Sequence, residues 1–139
     1  MVIADAGFFI ALFDRADRHH GRAVRALENL DEGLVSTWLA IGEASYYVLS
    51  RHGAQANLRF LNGATVADLA LFELGATHWP RITRLMRQYA DLPMDLADAS
   101  LVLLAEEIGE ERILSTDERD FAVYRWRGRK LFRRLLFEA

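Results

Sequence analysis

Short apolar runs alternate with stretches of helical periodicity along most of the chain. Val2, Ile3 and Ala4 form a continuous apolar run that predicts a buried strand ending at Asp5, and residues 7–13 predict a first short helix. Over residues 17–30, Ala23, Val24, Leu27 and Leu30 recur at helical spacing and predict a second helix. Gly33 then releases the chain into a second strand over residues 34–36. Ser36 or Thr37 can cap a helix over residues 38–51, which Gly53 stops before a further helix to about Leu61. A strand is expected within residues 66–74. An amphipathic helix follows over residues 78–90, with Ile82, Leu85, Met86 and Tyr89 on one side. Pro93 breaks it, Asp95 opens the next helix, and Gly109 closes that helix after Ile108. Residues 112–115 read as a strand leading to Asp117, and residues 130–137 as a last edge strand.

Strands separated by helices imply an α/β fold with a mainly parallel sheet covered on both faces. No repeat, linker or low-complexity tract interrupts the 139 residues, so one domain spanning residues 1–139 is expected. An apolar content of 52% with 11% aromatics excludes a disordered chain. The absence of cysteine excludes a disulfide framework, a thiolate zinc site and a cysteine nucleophile, and fits a reducing compartment. Residues 1–13 are largely apolar, but they lack a basic flank, carry Asp5 and are too few to cross a bilayer. The chain is therefore expected to be soluble and cytoplasmic, with no membrane partner.

The net charge of −3 speaks against a polyanionic partner until its distribution is considered. Residues 119–134 hold Arg119, Arg125, Arg127, Arg129, Lys130, Arg133 and Arg134 against one acid, Asp120. Guanidinium groups bind phosphate through a planar fork, although a solvated basic tail would have the same composition.

The acids carry the sharper signal. Asp5 is the only ionisable side chain before Asp14 and falls at the carboxyl end of the first strand, where α/β sheets collect ligands. It could equally cap the following helix. Glu43 has Leu39, Tyr46 and Tyr47 as its helical neighbours, so its carboxylate borders an apolar face and calls for an arginine, a hydroxyl or a metal. Asp95 and Asp98 open a helix in capping-box spacing; the first suits the N-cap, and the second can point into a pocket. Asp117 ends a central strand as Asp5 does. Converging carboxylates without cations would raise one another's pKa, and a divalent ion removes that penalty. Oxygen ligands without histidine or cysteine favour magnesium or manganese over zinc. His19, His20, His52 and His78 fall outside the acidic motifs, and Ser100 has no histidine in a triad arrangement.

VIADAGFFIALFD at residues 2–14, Glu43 within IGEASYYVL, LPMDLADASLVLLAEEIG at 92–109 and ILSTDERDFAVYR at 113–125 together resemble the PIN-domain nucleases. The chain is most similar to the VapC toxins of toxin–antitoxin pairs. The resemblance implies a three-layer α/β/α sandwich whose acidic pocket binds Mg²⁺ or Mn²⁺ through Asp5, Glu43, Asp98 and Asp117. It implies hydrolysis of RNA phosphodiesters, a homodimer and a small VapB-type antitoxin. Ser115 stands where the family often has threonine, with Thr116 as a second hydroxyl; both, with Asp95, are candidates to support the metal ligands. Arg119, Arg125, Arg127 and Arg129 are the candidates for the RNA backbone. Two other readings compete: a non-catalytic RNA- or protein-binding module of the same fold, which loss of an acid would favour, and an aspartyl phosphatase. The phosphatase would carry a second aspartate two residues after Asp5, where this chain has Gly7.

Overall fold

The computed structural model describes residues 1–66 and 68–138. Five strands form the main sheet: β1 (Val2–Ala4), β2 (Leu34–Thr37), β3 (Leu69–Phe72), β4 (Arg112–Leu114) and β7 (Arg133–Arg134). Their order is β3-β2-β1-β4-β7, and every pairing is parallel. A separate antiparallel pair joins β5 (Arg125–Trp126) to β6 (Lys130–Leu131). Among the described residues, the α-helices are α1 (Ala6–Phe13), α2 (His20–Glu28), α3 (Trp38–Val66, kinked at Gly53), α4 (Trp79–Gln88), α5 (Leu96–Ile108) and α6 (Asp120–Val123).

Side chains of a strand alternate between its two faces, and in β1 both faces are buried. Val2 and Ala4 pack with Phe8 and Phe9 of α1, Ala23 of α2 and Ile41, Val48 and Phe60 of α3. Ile3 faces the other way, into a core made by Ile82 and Leu85 of α4, Leu101 and Leu104 of α5, and Phe121. Two apolar layers thus clasp the sheet, which is the expected three-layer α/β/α arrangement.

Parallel pairing puts the carboxyl ends of β1, β2 and β4 on one edge. The chain leaves β1 into Asp5 and α1, β2 directly into α3, and β4 into Ser115. Helix α5 is pinned to the same edge, because the buried hydroxyls of Thr37 and Ser100 hydrogen bond at 2.7 Å. Ser36 is locked beside them, donating to the Ala4 carbonyl at 2.7 Å. Thr37 Oγ1 also accepts from the Ala40 amide, so Thr37 caps α3 and Ser36 holds the sheet.

Several boundaries differ from the expectation. Helix α2 starts at His20 because Asp14 and Asp17 bond the amides of Ala16 and His19, and such local turns compete with helix. The expected strand over residues 66–74 contracts to β3, and residue 67 lies outside the described residues. The expected single strand over residues 130–137 divides. Lys130–Leu131 folds back on β5, and only Arg133–Arg134 joins the sheet, before Leu135–Phe137 forms a 3-10 turn. The hairpin turn explains the division: Arg127 and Gly128 both have positive φ, 48° and 78°, which reverses the chain. Among the described residues, no helix is long and apolar enough to cross a membrane.

As expected, the helix breaks at Gly53 and a second helix follows: α3 is two helices joined across a kink, and the φ of 87° and ψ of 177° at Gly53 belong to a region that only glycine enters freely. Gly42, eleven residues earlier, is exposed and helical, and a Cβ there meets nothing within 4 Å. The two glycines therefore respond oppositely to alanine. Gly53→Ala should cost about 1–3 kcal/mol in urea unfolding, whereas Gly42→Ala should gain about 0.5–1 kcal/mol. Equal shifts of both midpoints in one direction would contradict this account of the bend.

Candidate active site at the carboxyl edge of the sheet

Asp5 is only 7% exposed. Its Oδ1 caps α1 by accepting from the Phe8 amide at 2.9 Å, and its Oδ2 accepts from the Ser115 hydroxyl. Ser115 Oγ in turn accepts from the Asp117 amide at 3.0 Å. One buried hydroxyl therefore couples the ends of the adjacent strands β1 and β4. Asp117 turns the chain with its Oδ1, which accepts from the amides of Arg119 and Asp120, both at 2.7 Å.

From the other side come α3 and α5. Asp95 caps α5, accepting from the Asp98 amide at 2.8 Å, as its position in the sequence suggests. It also lies close enough to Glu43 to raise that carboxyl. Asp98 is partly buried and accepts at 2.9 Å from the hydroxyl of Tyr124, whose ring is fully buried and packed edge-on against Tyr89 and Phe121.

The protonation equilibria show how close these groups are. Burial pushes Asp5 up to about 6 against the Ser115 and Phe8 hydrogen bonds, with the charge of Asp117 adding to the rise. Asp98 is pushed up to about 7 by burial and then by Asp95, while Tyr124 opposes the shift and Asp5 and Asp120 add to it. Glu43 is exposed as a residue, yet its carboxyl rises to about 8. Partial desolvation comes first, then the neighbouring Asp95 and the charges of Asp98 and Asp5. Asp120 is also raised, by burial and by its neighbour Asp117, despite the ion pair it makes with Arg119.

Asp5, Glu43 and Asp98 thus act on one another, and Asp117 joins them through Asp5. None of Asp5, Glu43, Asp95, Asp98 and Asp117 takes part in an ion pair among the described residues. A cluster of hard oxygen donors with no cation of its own matches a divalent ion in charge and donor chemistry. The side chains do not form a closed coordination shell. Among the described residues, no three histidine, aspartate or glutamate side chains stand in ligating geometry. The four aspartates are instead turned toward protein donors: Asp5 toward Ser115, Asp98 toward Tyr124, and Asp95 and Asp117 toward backbone amides.

The remaining candidates fall in different places. Thr116 packs its hydroxyl over Gly7, where a Cβ would collide with it. Arg119 stays beside the acids, bonding Asp120 at 3.0 Å and reaching the Leu92 carbonyl. Arg125 folds back on the carbonyls of Ala122, Val123 and Tyr124. Arg127 bonds the Glu106 carbonyl at 2.8 Å. Glu106 lies eight residues beyond Asp98 on α5, about 12 Å along the helix, so Arg127 and the neighbouring Arg129 hairpin turn stand well away from the acids. The histidines lie elsewhere: His20 bonds the Ala11 carbonyl, His52 pairs with Asp14 and His78 with Glu107. Tyr124 escaped the sequence reading, because nothing local marks it. Asp120 matches the tail of the last acidic motif, where a role in the turn is expected; here it also pairs with Arg119.

The profile of the PIN domain family matches residues 2–126. Ribonuclease VapC26 of Mycobacterium tuberculosis is 28% identical over 124 residues, 89% of this chain and 92% of that protein. Two solved structures share the fold. VapC20 of Mycobacterium tuberculosis, described as a toxin that cleaves the sarcin–ricin loop, superposes with a TM-score of 0.79 at 16% identity, covering 86% of this chain and 92% of its own. A toxin–antitoxin complex from Klebsiella pneumoniae gives 0.63 at 20% identity, covering 88% and 92%.

Raised carboxyl pKa values make the metal-free site a pH-dependent liability. A carboxyl that binds its proton more tightly when folded contributes stability below the unfolded pKa, near 4, and loses it as pH rises through the folded value. For Asp98 that window ends near 7. Asp98→Asn removes the charge, so in chelator its melting temperature should exceed that of wild type by a few degrees at pH 8 and by much less at pH 5. A difference independent of pH would mean that the Asp98 charge is compensated.

Proposed function

This chain belongs to the PIN domain family, and we propose that it is a divalent-metal-dependent endoribonuclease, the toxin of a VapBC-type toxin–antitoxin pair. The observation that carries the reading is the set of carboxylates from β1, β4, α3 and α5 gathered without a compensating cation. Asp5, Asp98 and Asp117 would hold Mg²⁺ or Mn²⁺, with Glu43 at the rim completing the set. When bound, such an ion stabilises charge on the phosphodiester oxygens and makes water a better nucleophile near neutral pH.

The protein's own groups prepare that chemistry. Ser115 fixes the Asp5 carboxylate and the loop carrying Asp117 with a single hydroxyl. Tyr124 donates to one oxygen of Asp98 and so orients the carboxylate. Glu43, pushed up to about 8 by desolvation and by the neighbouring Asp95, can hold or release a proton at its carboxyl within the working pH range. Asp95 serves as α5 cap and as the neighbour of Glu43.

The partners follow from the same reading. RNA is the substrate class, supported by the ribonuclease relative. A homodimer is supported by an exposed stripe on α3, where Trp38, Tyr46 and Leu49 are 66%, 73% and 46% exposed around Gly42. A VapB-type antitoxin is supported by the toxin–antitoxin complex that shares the fold, and by an apolar cavity of about 380 Å³ walled by Phe9, Leu12, Phe13, Leu27 and Phe60, which suits an amphipathic helix.

Purified protein should cut single-stranded RNA with Mg²⁺ or Mn²⁺ and stop when chelator is added. Asp5→Asn and Asp98→Asn should abolish cutting while remaining folded. A binding module of the same fold would bind RNA and never cut it. Ser115→Ala should weaken Mn²⁺ binding in calorimetry by about 10–100-fold, the usual effect of removing a group that orients a ligand. Unchanged affinity would show that Ser115 does not position Asp5.

A further inference from the structure

A second charged surface begins where the acidic edge ends. Arg22 and Arg25, exposed and three residues apart, share one side of α2, and Arg18, exposed in the turn before the helix, walls one cavity with them. The C-terminal turn packs beside them. The Phe137 ring lies 5.6 Å from the Arg22 guanidinium and 5.5 Å from that of Arg134, with the His19 ring edge-on. Arg22 donates from Nη1 to the Leu136 carbonyl at 3.2 Å, which orients the fork while its other N–H groups make no hydrogen bond among the described residues. Two cavities open along this surface, of about 340 and 400 Å³, and Arg22 and Arg25 wall both.

The acids nearby do not cancel this field. Glu138 is engaged by Arg133. Glu118 meets Arg18 only at 3.7 Å, with both side chains largely exposed. Glu118 also makes the surface continuous with the acidic site: it follows Asp117 directly, its carboxylate lies in the cavity with Arg18, and its carbonyl accepts from Arg134 at 3.1 Å.

We propose that Arg18, Arg22, Arg25 and Arg134 form a track for the RNA backbone on one side of the cut, leading the strand over Glu118 into the carboxylate pocket. This rests on the ribonuclease reading and assigns the substrate contact to a part of the chain that the basic segment 119–134 contains only in part. Forked guanidiniums suit phosphate oxygens, and a row of them beside a pocket that handles one phosphate continues the same polyanion. Arg127 and Arg129 stand apart from this path. In the free protein Glu118 stands loosely beside Arg18, and an RNA phosphate takes its place.

The test is fluorescence anisotropy of a labelled mixed-sequence single-stranded RNA, with the full chain in chelator so that nothing is cut, over a range of salt. The variant R18Q/R22Q/R25Q should bind about tenfold or more weakly and flatten the slope of log affinity against log salt by about 2, since each phosphate contact contributes about 0.7 on a single strand. R18K/R22K/R25K should keep the slope, which separates lost charge from lost fold. R127Q/R129Q should stay within about twofold of wild type, and Glu118→Gln should bind more tightly. Weakening by R127Q/R129Q without weakening by the α2 variant overturns the proposal. So does an α2 variant that loses affinity for polyglutamate and keeps it for RNA, since that surface would then serve an acidic protein segment. A wild type that binds RNA through α2 but never cuts it with metal would sink the ribonuclease reading and leave this track standing.

Discussion

Like charges forced together at the carboxyl edge of a parallel sheet are the constraint on which the rest of this structure depends. β1 and β4 are neighbours, so the residues that follow them must share one small volume. α3 and α5 bring their own carboxylates to the same place. Burial and mutual repulsion push Asp5, Asp98 and Glu43 up to about 6, 7 and 8. The chain is rich in arginine, yet no guanidinium pairs with these groups among the described residues. Proteins usually pair buried charges, and a cluster left unpaired is a stability sacrifice that an external cation can reverse.

The same acids also build the fold, which blurs any division between structural and functional residues. Asp5 caps α1, Asp95 caps α5 and Asp117 closes the turn before α6. A carboxylate offers several lone pairs, so one oxygen can satisfy helix amides while others face the pocket. The capping role of Asp5 that the sequence offered is observed, and it does not compete with the role proposed for Asp5 at the pocket. Ser115 and Tyr124 do the complementary work. Each spends a hydroxyl on one carboxylate and is itself immobilised, Ser115 by the sheet and Tyr124 by its aromatic neighbours.

A net charge of −3 conceals a molecule of separate fields. The acidic edge is bordered by the arginines of α2 and the C-terminal turn, and a second basic group gathers around the β5–β6 hairpin at the far end of α5. A cation and a polyanion can thus be drawn to adjacent regions of one small domain. The hairpin arginines serve the fold instead: Arg127 closes onto the Glu106 carbonyl, and both Arg127 and Lys130 lie over Trp126.

The sequence by itself determined the elements whose causes are local. Apolar runs marked β1, β2 and β4, capping residues marked the starts of α3 and α5, and Gly109 with its φ of 68° marked the end of α5. Asp5 and Glu43 were legible because each is anomalous where it stands, a lone charge in an apolar segment and a glutamate against Leu and Tyr, whereas Asp98 and Asp117 sit in ordinary capping and loop positions and gained meaning only beside them. What only the tertiary structure decided is which distant groups meet. Tyr124 reaches Asp98 because α6 packs beside α5, the basic segment splits because positive φ at Arg127 and Gly128 folds β6 back, and α2 gains Phe137 as a neighbour because β7 pairs with β4. Propensity and periodicity act over a few residues, whereas these contacts join positions 26 to 115 apart, where only the packing of the whole sheet sets the distance.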